Sequence, residues 1–209
     1  MVTNSNLPEH YNDIDKIYLE IWERLIDGKK NRNSELHQCY VATNSDKFPA
    51  LRTVVLRHVN QENLSIGFHT DKRSNKINEI SEDSNVSVLF YDHEHKIQIR
   101  INGQAEVNHN NDSTAAIWSN IRSFSKKCYL VEKAPGTQSE IPTSGYPSEF
   151  ESILPSDAEL EAGYENFTYI NIQIESIEWL YLHKDGHRRA LFNFTDNNIS
   201  KIFFQYRKI

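Results

Sequence analysis

Between Ala50 and Glu106 the chain places Arg52, Arg57, Lys72, Arg73, Lys76 and Arg100 among three β-patterned runs and one short basic helix. A cation inside a strand that otherwise carries Val and Ile is costly unless an anion meets it. The pattern therefore points to a phosphate-bearing cofactor. Ser74, Asn75 and Lys76 fall in the first turn of the helix expected over residues 71–81. Free backbone N–H groups, a hydroxyl and an ammonium at one helix start make an anion site. The plain alternative is a solvated helix with ordinary surface lysines. His93 and His95, beside Asp92 and Glu94, have the residue types of a metal site. With no third ligand cluster the DHEH stretch reads as an exposed hairpin tip, and no metal is assigned.

These residues need a scaffold, and the periodicity supplies one. Ile14, Ile17, Tyr18, Ile21, Trp22 and Leu25 recur at three and four, predicting a helix over 11–28 that Gly28 ends. Strands are expected over Leu36–Thr43, from about Leu51, over Leu64–His69, Val86–Tyr91 and Lys96–Val107. In the second of these, Arg52, Val54, Leu56 and His58 point one way and Thr53, Val55 and Arg57 the other. Thr70 or Asp71 is expected to cap the basic helix. A helix is expected over Ser113–Ile121, continuing after a bend, and a short acidic one over Ser156–Ala162. Pro135, Gly136, Pro142, Gly145, Pro147 and Pro155 make 124–166 a variable helical and loop excursion. Strands over Phe167–Leu182, from His187 and over Ile199–Tyr206 close the chain. Antiparallel strands with short turns and flanking helices predict a mainly β protein, a barrel in one domain over 1–209.

Composition limits the partners. Lys+Arg 23 against Asp+Glu 29 gives a net charge of −6 over 209 residues. That balance disfavours nucleic acid and anionic membrane, which call for a basic field, while a local basic pocket suits a small anion. Cys39 and Cys128 are read as free thiols. The N-terminus has no apolar core for a signal peptide, and no run reaches the ~20 apolar residues of a membrane span. A soluble cytoplasmic protein is expected.

Four stretches occur together in order: R-T-V-V-L-R at 52–57, F-H-T at 68–70, S-N-K at 74–76 and Q-I-R-I-N-G-Q-A-E at 98–106. The set resembles the pyridoxamine 5′-phosphate oxidase-like family of FMN-binding split barrels. I-E-W-L-Y-L-H-K-D-G-H-R-R at 177–189 resembles that family's second flavin-contacting segment. The likeness covers roughly 36–123 and 167–206, and it implies an antiparallel split β-barrel of FMN-binding type. It further implies a homodimer with FMN at the subunit interface, each site using both chains. By this resemblance Arg52 and Lys76 neutralise the phosphate, helped by Ser74 and Asn75. Thr53, Val54, Val55, Arg57, His69, Thr70 and Gln98 meet the cofactor as well, with Val54 and Val55 offering backbone groups to its ring. Trp179 and Arg189 complete the pocket from the second subunit.

On the substrate side, Arg57 and Arg122 stand where the oxidase holds its substrate's phosphate, and His187 matches a substrate-side histidine, the best candidate for acid–base work. Trp118 replaces a tyrosine, Asp185 reverses an arginine's charge, and the ending Arg207-Lys208-Ile209 lacks the family's terminal motif. A reversed charge in a desolvated phosphate site costs on the order of several kcal/mol. The resemblance thus implies an FMN-dependent oxidoreductase taking a hydride from a small substrate, a phosphorylated amine among the possibilities. The competing readings are a flavin-binding or redox-sensing protein without a substrate site, and an interaction protein using the barrel only as a dimer scaffold.

Overall fold

Alternation decides the architecture. The computed structural model describes residues 8–184, 186–195 and 198–204. Its strands are β1 (Gln38–Thr43), β2 (Ala50–Val55), β3 (His58–Asn60), β4 (Ser65–Asp71), β5 (Asn85–Asp92), β6 (Ile97–Asn108), β7 (Phe167–Tyr181), β8 (Arg188–Thr195) and β9 (Asn198–Phe204). They pair antiparallel in the order β2-β1-β5-β6-β7-β4-β3, with β8 beside β7 and β9 beside β8. The long strand β7 is the hub. One edge runs along β6; the other gives residues 167–173 to β4 and residues 176–181 to β8. Between β2 and β3 the chain crosses from one end of the sheet to the other. The Leu56 N–H donates to the His37 carbonyl and the Arg57 N–H to the Gly67 carbonyl, each at 2.9 Å. The sheet thereby curls into the expected split barrel.

The core follows from strand parity. Val41, Val88, Ile101, Ile177 and Phe192 are successive register partners across five strands, and all are buried. Each such side chain contributes about 1.5–3 kcal/mol by leaving water. Helix α1 (Ile14–Lys30) lays Ile17, Ile21, Trp22 and Leu25 into the same core, and Asp13 caps it by accepting from the Asp15 and Lys16 amides. Gly28 does not end this helix, contrary to the sequence reading. It is buried within it, and a Cβ there would lie 2.7 Å from the Leu36 carbonyl oxygen. Its small size serves close packing rather than termination.

Helix α2 (Asn75–Glu82) also starts later than expected. Ser74 is its N-cap, while Thr70 and Asp71 stay in β4, held by pairing with Thr168 and Phe167. Beyond β6 come α3 (Asp112–Ser119), α4 (Ser123–Lys126) and α5 (Asp157–Leu160), with 3₁₀ turns at Lys127–Tyr129, Ser148–Phe150 and Glu161–Asn166. These elements build a second apolar layer. The rings of Trp118 and Tyr129 stand 5.3 Å from that of Phe167, and Leu160 is fully buried. Among the described residues no helix is long and apolar enough to cross a membrane. Asp185, Tyr206 and the ending Arg207-Lys208-Ile209 lie outside the described residues.

One glycine tests this register. At the irregularity between Asn102 and Gly103, a Cβ on Gly103 would lie 2.0 Å from the Gln173 carbonyl oxygen. Gly103→Ala must push β6 from β7 and should cost on the order of 1–3 kcal/mol, as other overpacking does. Urea unfolding reads this as a lowered midpoint; an unchanged midpoint contradicts the pairing.

Candidate functional site

The cation-rich stretch is pulled together where β1, β2 and β4 meet the start of α2. Arg52 is the register partner of buried Val41, so its side chain takes the inner face of the sheet. There its Nη1 donates to Thr43 Oγ1 at 2.5 Å and its Nη2 to Glu79 Oε2 at 2.6 Å. The Thr43 hydroxyl donates in turn to the same carboxylate oxygen at 2.5 Å. Burial opposes charge on Glu79, but these two partners outweigh it and hold its pKa below the usual carboxylate value. Lys76, one turn earlier on α2, donates from Nζ to Thr70 Oγ1 at 3.0 Å. Among the described residues it forms no ion pair. Burial, and then the charge of Arg52, push its pKa down. Ser74 is buried and caps α2 without a side-chain hydrogen bond, so its hydroxyl is not spent on the helix. Asn75 follows it, exposed.

A second group occupies the outer face. Gln98 pairs with Leu180, and Leu180 with Arg189. Beside them Arg100 donates to Glu178 at 2.9 Å, and Arg189 contacts the same carboxylate oxygen. The Arg189 guanidinium lies 4.6 Å from the Phe204 ring centroid, and its buried Nε has no hydrogen-bond partner among the described residues. Strand parity thus puts Arg52 and Gln98 on opposite faces of one sheet. Trp179 does not join either group. Its side chain is fully buried in this chain's own core, edge-on to Tyr11 at 5.0 Å, because it shares parity with Ile177 and Tyr181. Its ring packs the core of its own chain.

A third group surrounds Arg57, which is exposed. His58 and His69 face each other across β3 and β4 with Nε2···Nε2 2.8 Å. One must donate and the other accept, and pKa values depressed on both rings keep the pair neutral at pH 7. Burial pushes the His58 pKa down to about 4, helped by Lys29 and Arg57. Burial again, then His58 and Arg57, push that of His69 down to about 3. His69 and Thr70, adjacent in β4, necessarily point to opposite faces, so only Thr70 reaches Lys76. β2 pairs with β1 alone; the Leu56–His37 bond sets the alternation, so the backbone groups of Thr53 and Val55 turn to the free side while those of Val54 face Cys39 in β1. Arg122 is exposed and heads α4. His187 accepts at Nδ1 from the His183 amide at 3.1 Å. Trp118 is buried, and its indole N–H donates to Glu161 at 2.9 Å. His95 binds Asp92, His93 meets Tyr91 edge-on, and among the described residues no group of three or more His, Cys, Asp or Glu could hold a metal.

Several participants escaped the sequence reading. Glu79 stands three residues after Lys76, on the same helix face, and Thr43 shares the inner parity of Cys39 and Val41. Those spacings were available signals. The contact of Asp71 and Arg73 with the excursion has no local signal at all.

Residues 18–109 match the family model for the pyridoxamine 5′-phosphate oxidase, FMN-binding domain. The resemblance read from the sequence is therefore borne out over that stretch, and FMN is the cofactor of the matched domain. No curated protein matches the chain. Among solved structures, a pyridoxamine 5′-phosphate oxidase-related, FMN-binding protein from Nostoc punctiforme shares 20% identity at a TM-score of 0.66, over 97% of this chain and 100% of that one. PhzG from Burkholderia lata, in complex with tetrahydrophenazine-1-carboxylic acid, shares 17% at 0.65, over 96% and 98%. A protein related to general stress protein 26, from Clostridium acetobutylicum, shares 13% at 0.52, over 82% and 95%. These likenesses bear out the split-barrel fold.

The neutral histidine pair makes stability depend on pH. Both folded pKa values lie below the unfolded value of 6.5, so the unfolded chain binds more protons between about pH 4 and 6.5. The stability this pair supports is full above pH 6.5 and falls as the pH drops toward 4. His69→Gln should flatten the slope of urea midpoints measured between pH 7 and 5; an unaltered slope contradicts the pairing.

Proposed function

We propose that the chain is an FMN-dependent oxidoreductase whose sites are each built by two copies of the chain. One observation carries this reading: the partly buried Lys76 ammonium has Thr70 as its hydrogen-bond partner and no carboxylate bound to it among the described residues. A phosphate dianion suits that ammonium, the Ser74 hydroxyl and the first amides of α2. When bound, FMN supplies a ring that accepts a hydride.

The chain's own residues do the holding. Lys76, Ser74, Asn75 and Arg52 take the phosphate, with Glu79 and Thr43 fixing Arg52 in place. The open edge of β2 offers backbone groups of Thr53 and Val55 to the ring, with Val54 between them paired to β1, and His69 flanks it. Gln98 and Arg189, on the opposite face, can reach such a site only from a second copy, which supports a homodimer. The buried Arg189 Nε, a donor without a partner among the described residues, fits a ligand arriving on that face. Trp179 acts from beneath as packing. A soluble, cytoplasmic setting fits this chemistry.

Arg57 and Arg122 hold the anionic end of a small substrate: a phosphorylated amine, or a ring-bearing acid like the compound in the Burkholderia structure. His187 is the candidate acid or base. Acceptance at Nδ1 puts the proton of its neutral ring at Nε2. The second reading, a flavin-binding or redox-sensing protein without turnover, draws on Trp118. Its N–H is bound to Glu161, so the indole offers a substrate nothing there. Peroxide release with pyridoxamine phosphate, pyridoxine phosphate, an amine panel and ring-bearing acids separates the two. Turnover supports the oxidoreductase, and flavin loading without turnover supports the sensor.

The phosphate assignment has its own test. Losing one charge-assisted contact costs about 1.5–3 kcal/mol, so Lys76→Ala should weaken FMN about 10- to 100-fold while the far-ultraviolet spectrum stays unchanged. Flavin fluorescence titration of the cofactor-free protein measures it; unchanged affinity overturns the assignment.

A further inference from the structure

Arg73 precedes Ser74 in the loop between β4 and α2, yet its guanidinium is committed elsewhere. Nε donates to Asp71 Oδ1 at 3.0 Å and Nη2 to Asp71 Oδ2 at 2.7 Å. The same Nη2 reaches the Val131 carbonyl at 2.9 Å, and Nη1 the Glu132 carbonyl at 3.1 Å. Asp71 is buried, and it also accepts from the Arg73 amide at 2.8 Å. Planar and forked, this side chain joins the cofactor loop to a stretch 59 residues away in sequence. Around it, the Lys72 amide donates to the Asn166 carbonyl at 2.8 Å, and the Asn166 side chain to the Tyr129 carbonyl at 2.9 Å. The Glu132 amide closes onto the Gly145 carbonyl at 2.9 Å. Residues 130–147 contain neither helix nor strand. Nothing in their own secondary structure fixes them, so these bonds set where the segment lies.

We propose that Arg73 is a positioning residue that couples the 124–166 excursion to the loop holding the cofactor phosphate. The tie acts in both directions. With residues 131–132 fastened to it, the 71–74 loop keeps Ser74 and Lys76 where a phosphate needs them. With a phosphate in place, the loop loses freedom and the excursion stays down. Coupling of this kind is reciprocal: the factor by which closure raises FMN affinity equals the factor by which FMN favours closure. The proposal rests on the FMN reading above, because the ligand that tightens the loop is FMN.

Glutamyl endopeptidase reads closure without touching Arg73, since Glu140, Glu149 and Glu151 are exposed in the excursion. Cleavage of full-length wild type, Arg73→Ala and Arg73→Lys is followed with and without FMN, beside FMN titrations and thermal midpoints. In the wild type FMN should slow cleavage about tenfold, within the usual range of coupling. Both variants should be cut faster without cofactor, lose the protection by FMN, and bind FMN weaker by about the factor lost. Arg73→Lys keeps the charge and loses the fork, so full rescue by lysine would replace the tie with simple electrostatics and overturn the proposal. Cleavage of both variants at the wild-type rate, or equal protection by FMN, also overturns it. If the wild type takes up no FMN, the flavin reading and the coupling fail together. The cofactor-free cleavage rates then still show whether Arg73 holds the excursion.

Discussion

Two cations, Arg52 and Lys76, are brought to one end of a barrel, where among the described residues Glu79 pairs with Arg52, while Lys76 forms no ion pair. That imbalance organises the surrounding structure. Lys76 is partly desolvated and feels Arg52, and both effects disfavour its charge. An anion brought to such a group offsets both effects and favours its charged form. β4 must hold its pairing to Asp71 so that Thr70 faces Lys76, and α2 must start at Ser74 so that its first amides open on the same region. Arg52 must take the inward parity of β2, where Thr43 and Glu79 fix its guanidinium.

Strand alternation then divides the remaining chemistry. Side chains with the parity of Val41 and Ile101 face the core or the cation site. Those with the parity of Gln98 and Glu178 face outward. On that outer face Arg100 and Arg189 share Glu178, and among the described residues the Arg189 Nε is left without a partner. One copy of the chain cannot bring the two faces together, which is why the proposed function requires two. The excursion is a separate layer, packed through Trp118, Tyr129 and Phe167 and tied to the barrel through Arg73.

The fold was legible because its determinants are local. Period-two alternation over 97–107 and 167–182 marks β6 and β7, and the three–four spacing of Ile17, Ile21, Trp22 and Leu25 marks α1. Reading Gly28 as a stop failed because its reason for being glycine is a contact with Leu36, which no window around Gly28 contains. The cation cluster was legible because cations in strands are conspicuous. Glu79 was not singled out, since a glutamate in a short exposed helix looks ordinary until Arg52 is seen opposite it. The burial of Trp179 was legible as well, because its parity with Ile177 already points inward. The tie at Arg73 was invisible, because carbonyl acceptors carry no sequence identity.

The central claim is that the cation pair recognises a phosphate, so the most direct measurement compares FMN with riboflavin, which lacks that group. Calorimetric titration of each into the cofactor-free protein isolates the phosphate's share of the affinity. With two or more charge-assisted contacts at about 1.5–3 kcal/mol each, FMN should bind at least about 100-fold more tightly. Equal affinities for the two would contradict the account.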